Sequence, residues 1–182
     1  MTTAGEKIVL GSGKLFIAEF KGSIPDNKTI EVEKNLLGLI QGGATLEYKP
    51  SFYSAKDDLG LAEKEILTDE EATFKSGIMT WNGKTLEKLC STARVTEEKE
   101  KKKRIVKIGG IGNYKSTDYI LRFVHEDKQD GDIRTTIVGK NQAGFSLSFT
   151  KDKETVIDAE FKAKPHDKEG TRIIFEEDIP TE

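Results

Sequence analysis

His125-Glu126-Asp127 and Asp130-Gly131-Asp132 place one imidazole and four carboxylates within eight residues. Metal binding or acid–base work needs such a set. A calcium loop, however, requires oxygen ligands at fixed spacing and a closing glutamate, and this spacing fails. Asp130-Gly131 is the dipeptide of a hairpin turn. Gly11-Ser12-Gly13-Lys14 matches only the end of a phosphate loop. The full motif needs a longer glycine-spaced loop and Ser or Thr after the lysine, and Leu15 follows here. Gly109-Gly110-Ile111-Gly112 lacks the helix that opens after a dinucleotide loop, and reads as a turn. Cys90 would act as a nucleophile only beside a histidine in space; on an apolar helical stripe it is first a small core residue. His166 lies in a proline-containing loop with no partner at metal spacing. No Ser-His-Asp set assembles. The chain reads as a non-enzyme with no cofactor and no metal.

The elements that would position these groups are organised around Ala72–Ala93. Ala72, Phe74, Ser76 and Ile78 fall on one side of an alternating segment, Thr73 and Lys75 on the other. That is the period of a strand with one buried face. At Asn82 the period changes: Leu86, Leu89, Cys90 and Ala93 follow at helical spacing. Asn82 stands where an N-cap belongs, and Trp81 and Leu86 are spaced as a hydrophobic staple.

Almost everything else reads as strand and turn. A lead of residues 1–13, with Ile8-Val9-Leu10, reads as mobile or ordered by a partner. A first strand covers Leu15–Phe20, and weaker ones Ile30–Glu33 and Leu36–Ile40. Ala44–Lys49 alternates cleanly. Glu97 to Arg104 is a mixed-charge loop before a strand at Ile105–Ile108. Tyr119–His125 is apolar on both faces, as in a central strand. Ile133–Val138, the alternating Phe145, Leu147 and Phe149, the alternating Ile157, Ala159, Phe161 and Ala163, and Arg172–Phe175 complete the set. Regularly spaced strands predict a mainly β protein, a β-sandwich or barrel with one flanking helix and a long loop or hairpin arm. Residues 14–182 form a single domain in this reading.

The arm is Pro50–Glu71, far longer than the ~2–5 residues a hairpin loop needs. It carries Phe52, Tyr53, Leu59, Leu61, Ile66 and Leu67, more large apolar groups than a disordered linker holds. These six residues are the expected subunit interface. The alternative is that they dock on their own domain. Charged residues are 34% and hydrophobic residues 35%, with a net charge of −3, so nothing points to a DNA-binding protein. One cysteine excludes an internal disulfide. Met1 to Glu6 lacks a signal-peptide pattern, and no apolar run approaches the ~20 residues of a membrane span. Folding in a cytoplasm without membrane insertion is the expectation.

The succession Gly42-Gly43-Ala44-Thr45-Leu46-Glu47-Tyr48-Lys49-Pro50 and then Glu70-Glu71-Ala72-Thr73-Phe74-Lys75-Ser76-Gly77-Ile78-Met79-Thr80-Trp81-Asn82-Gly83 resembles the tail tube proteins (major tail proteins) of long-tailed phages and prophages of Gram-positive bacteria. Asp130-Gly131-Asp132-Ile133-Arg134, Asn141-Gln142-Ala143-Gly144-Phe145 and Lys153 to Phe161 are similar to that family too. The likeness runs from about Gly11 to the C-terminus. Its specificity comes from extent rather than from a short signature.

The resemblance implies a β-sandwich or barrel with its helix at Gly83–Thr92 and its arm at Pro50–Glu71, reaching an adjacent subunit or ring. Six subunits would form a ring, and stacked rings a hollow tube, a plan shared with contractile tails and type VI secretion. It implies a structural virion protein of the phage tail, synthesised and assembled in the host bacterial cytoplasm and serving DNA ejection. Its partners would be copies of itself and the tape measure, tail terminator and distal tail proteins, with dsDNA in transit but not specifically bound. Duplex DNA carries about one negative charge per 1.7 Å of axis, so a lysine-lined bore would hold it. An acidic or neutral lumen is therefore expected, with Glu47, Asp158 and Glu160 as candidate lumen-facing acids. Two alternatives stand: a binding module of a tail or baseplate (a β-sandwich adhesin or carbohydrate-binding domain), and the tube of a phage-tail-like bacteriocin.

Overall fold

The computed structural model describes residues 8–179. The chain runs β1 (Lys14–Glu19), α1 (Asn27–Ile30), β2 (Leu36–Gly38), β3 (Ile40–Lys56), β4 (Glu63–Ile78) and α2 (Gly83–Leu89). It continues through β5 (Arg94–Glu98), β6 (Lys103–Lys107), β7 (Tyr119–His125), β8 (Ile133–Asn141), β9 (Ile157–Ala163) and β10 (Ile173–Glu177). Every pairing among the described residues is antiparallel. The large sheet has the order β2-β1-β7-β8-β9-β4-β3, with β10 also on β8, and β5–β6 form a separate hairpin. The protein is thus mainly β, sandwich- or barrel-like, as its alternating segments predict.

β8 is the hinge of the architecture. Its residues 133–137 pair with β10 and its last three, Gly139 to Asn141, pair with β9. The sheet divides there into two layers. At Gly139 the layers come so close that a Cβ would lie 2.0 Å from the Lys162 carbonyl oxygen, so only glycine fits. The far ends curl together as well: Met79 N–H donates to Leu39 O at 2.8 Å, and Thr80 Oγ1 accepts from Leu39 N–H at 2.7 Å.

Two cores result. Leu15, Ile17, Phe74, Ile78, Leu121, Ile137, Ile157 and Phe161 fill the space between the layers, closed by Leu86 and Leu89 of α2. Phe16, Ile30, Ile120, Val124 and Val138 form a second cluster on the opposite face of the β1-β7-β8 region. β7 therefore buries both faces, which is why its apolar residues do not alternate with polar ones.

α2 starts as predicted. Asn82 Oδ1 accepts from Lys84 N–H at 2.8 Å, and Thr85 Oγ1 accepts from Asn82 N–H at 3.2 Å, a capping box. Trp81 is partly buried against the main core. The helix ends at Leu89 rather than Thr92. Asn141 Nδ2 donates to the Leu89 carbonyl at 2.9 Å, taking an acceptor the next turn would use. Cys90 consequently sits at the C-cap, half-buried.

Other expectations are corrected. Ile30–Glu33 is not a strand: Asp26 caps α1 through Thr29 N–H at 3.0 Å, and a 3₁₀ turn follows at Glu33–Asn35. Glu97 to Arg104 is a loop only in its middle: residues 99–102 form the turn, while Glu97 pairs with Arg104 and Glu98 with Lys103 across the β5–β6 ladder. Phe145, Leu147 and Phe149 form no strand. Thr155 Oγ1 donates to Ser148 O and Thr150 Oγ1 to Lys153 O, so hydroxyls replace ladder bonds there. Phe145 and Leu147 still rest on the core, while Phe149 is exposed.

Candidate assembly surface

Several of the residues singled out for chemistry hold turns and strand ends together. His125 is buried, with Nδ1 2.8 Å from the Ser12 carbonyl; a carbonyl only accepts, so Nδ1 carries the proton. The Asp127 carboxylate accepts from Gln129 N–H at 2.8 Å and Asp130 N–H at 3.0 Å, which shapes the turn. Asp132 accepts from Asp127 N–H and pairs with Arg134 at 2.9 Å. Among the described residues, no three His, Cys, Asp or Glu side chains converge as a metal set. Lys14 opens β1 and pairs with Glu126 at 2.6 Å. Gly109–Asn113 is a turn containing a single 3₁₀ segment. His166 lies in its loop with its backbone N–H donating to Thr171 O and its ring Nε2 4.0 Å from the Asp167 carboxylate. Of the N-terminal lead, Ile8, Val9 and Leu10 are exposed ahead of β1; residues 1–7 lie outside the described part.

The arm is a continuous two-stranded ribbon. β3 and β4 stay paired from Ile40/Ile78 out to Lys56/Glu63. β9 supports β4 only at Thr73–Ile78, so beyond Ala72 each strand has the other alone. Seven residues, Pro50–Lys56, extend about 24 Å at ~3.4 Å each. Pro50 is tolerated because β3 is the sheet edge, with only β4 beside it. A register shift between Ser51 and Phe52 leaves Thr68 as the extra residue, its Oγ1 donating to Ser51 O.

This geometry sets out the six predicted interface residues. Phe52 opposes Leu67 and Tyr53 opposes Ile66, so each face of the ribbon bears an apolar pair. Phe52 is 56% exposed, Tyr53 60%, Leu59 80% and Leu61 84%. Ile66 and Leu67 are about half exposed as well. None folds back over its own core.

The tip is built, not frayed. Asp57 Oδ1 accepts from Ala62 N–H at 2.6 Å and Oδ2 from Leu59 N–H at 3.2 Å. Gly60 supplies the positive φ of +68° the turn requires. The Ala62 N–H, then the Leu59 N–H, hold the Asp57 carboxyl below its ordinary range. A charged carboxylate thus pins a turn whose outward groups are two leucines.

Glu47, Asp158 and Glu160 share one face, opposite the core. Register puts Thr45, Glu47, Lys49, Thr73, Lys75, Asp158, Glu160 and Lys162 on that surface. Lys75 lies 3.8 Å from Glu47 and 3.4 Å from Glu160, and Lys49 2.8 Å from Glu47. Its hydrogen bond to Lys49 lowers the Glu47 carboxyl. Glu71 belongs to the same face and pairs with Lys162 at 3.2 Å. Four carboxylates and three ammonium groups leave one net negative charge. Glu47 and Lys49 share a face through the alternation of β3 alone; the contacts of Lys75 depend on which strands become neighbours.

The fold and this surface define an antiparallel β protein carrying an unsupported apolar ribbon. No protein-family model and no curated protein matches the chain.

Proposed function

We propose that the protein is a self-assembling structural subunit whose copies form rings, and whose rings stack into the tube of a phage tail. The observation that carries this reading is the β3–β4 ribbon. An isolated two-stranded ribbon is marginal in water, and this one exposes apolar groups on both faces and at its tip. Covering by a second copy would remove that surface from water, at ~25 cal/mol per Å² of apolar area. The resemblance to tail tube proteins, extending over most of the chain, supplies the ring-and-tube form, the six-fold count and the DNA-conduit role. The near-neutral β3-β4-β9 face suits a bore through which a polyanion passes without being held.

Negative-stain microscopy of the concentrated protein tests this. Rings or tubes are expected for the full chain, and none after deletion of residues 59–66. A wild-type protein that remains monomeric at every concentration contradicts the proposal, as does an assembled tube with a strongly basic bore.

A further inference from the structure

The two hairpins that leave the main sheet are oppositely charged. Pro50–Glu71 holds seven carboxylates and two lysines, five net negative charges. Arg94 to Lys107 holds seven cationic side chains and three carboxylates, four net positive charges. In a chain of net charge −3, this is a marked segregation.

Register shows how each set is displayed. In β5–β6, Val95/Val106 and Glu97/Arg104 are paired positions. Their face is the one against α2: Gly83 lies so near that a Cβ there would be 2.7 Å from Val106 Cγ2. Arg94/Lys107, Thr96/Ile105 and Glu98/Lys103 therefore face away from the helix. Ile105 is exposed, and Glu98 is neutralised by Lys101 at 3.0 Å. The outward face is an isoleucine bordered by Arg94, Lys103 and Lys107. On the arm, Phe52/Leu67, Ser54/Glu65 and Lys56/Glu63 share a face. Lys56 pairs with Glu63 at 3.1 Å, while Glu65 enters none of the ion pairs among the described residues. That face is an apolar pair beside an uncompensated carboxylate.

We infer that the Phe52/Leu67 face of the arm docks on the Ile105-centred basic face of the β5–β6 hairpin of a second copy. This rests on the assembly reading above and names the acceptor surface. Phe52 and Ile105 both stay exposed within one chain, so the two faces do not cover each other there. Different patches on the two copies make the contact heterologous, the kind that propagates around a ring or along a stack. Apolar groups at the centre supply burial, and the opposed charges steer encounter and set register. A nucleic acid is the competing occupant for a basic hairpin, but three carboxylates interrupt the cations and an isoleucine sits at the centre.

Charge reversal in the full chain tests the pairing. Lys103→Glu with Lys107→Glu, and separately Glu63→Lys with Glu65→Lys, are expected to raise the concentration needed for assembly about tenfold. That corresponds to ~1.4 kcal/mol. Combining all four should return it to within about threefold of wild type, the signature of a direct pair. Salt near 1 M, where the screening length falls to about 3 Å, should weaken wild-type assembly. Far-ultraviolet circular dichroism verifies each fold, and Lys103→Gln with Lys107→Gln serves where reversal impairs it. If hairpin variants assemble normally while deletion of residues 59–66 abolishes assembly, the acceptor assignment is overturned and the assembly reading stands. If the wild type never self-associates, both fall. If hairpin reversal abolishes binding to a DNA duplex but leaves assembly intact, the hairpin serves nucleic acid and the inference is overturned.

Discussion

Asp57 fixes the tip of the arm by accepting from two backbone N–H groups, which lowers its carboxyl. A carboxyl lowered in the folded state stabilises above its unfolded pKa, and the contribution is lost as pH falls through the folded value. The turn should therefore be closed at neutral pH and loosen only below the ordinary carboxylate range. Amide exchange at Ala62, followed downward from pH 7, should show protection lost in that acid window; constant protection would contradict it. Arg122 is buried, with Nη1 2.9 Å from Glu31 and 3.3 Å from Glu176, and Nε on Thr136. Arg122→Ala should cost about 1–3 kcal/mol in urea unfolding: Glu31 keeps Arg134 at 3.0 Å, but Thr136 and Asn27 lose a donor in a largely buried site. Asn82→Ala should cost ~1 kcal/mol through the lost cap. The Asn82 cap was legible because a helical stripe follows it. The equivalent signal at Asp26 was not, because Thr29 and Ile30, one of them fully buried, look like strand residues in a single short turn.

At the scale of elements, strands with one wet face were readable, and so was the doubly buried β7. Ile157 to Ala163 alternates because β9 has the core on one side and solvent on the other. β3 and β4 were legible only near the body, at Ala44–Lys49 and Ala72–Ile78. Further out, the shift after Ser51, Pro50 within the strand and apolar pairs on both faces erase the alternation. The six arm residues stand out in the sequence as large apolar groups outside any periodic segment, and the structure leaves all six exposed. Glu47, Asp158 and Glu160 fall on wet strand positions in the sequence, as does Lys49 beside Glu47, but the Lys75 bridge does not show there because it needs β4 between β3 and β9. Deleting residues 59–66 should leave the melting temperature nearly unchanged, since neither core includes that segment. A collapse of the melting transition would place the arm's packing within its own domain. Gly139→Ala, by contrast, should prevent folding or lower stability by several kcal/mol, because the added methyl meets the Lys162 carbonyl where the layers join.

For the whole molecule, a sheet-rich body with an apolar, acidic ribbon and a basic hairpin is suited to repeating contacts with its own kind. The ribbon's placement is the claim on which the functional reading depends, and photo-crosslinking tests it most directly. With benzoylphenylalanine in place of Leu61, irradiation of the assembled protein should yield dimers and higher ladders. Mapping should join the ribbon tip to a sister copy. Cross-links formed solely within one chain, at every protein concentration, would contradict the account.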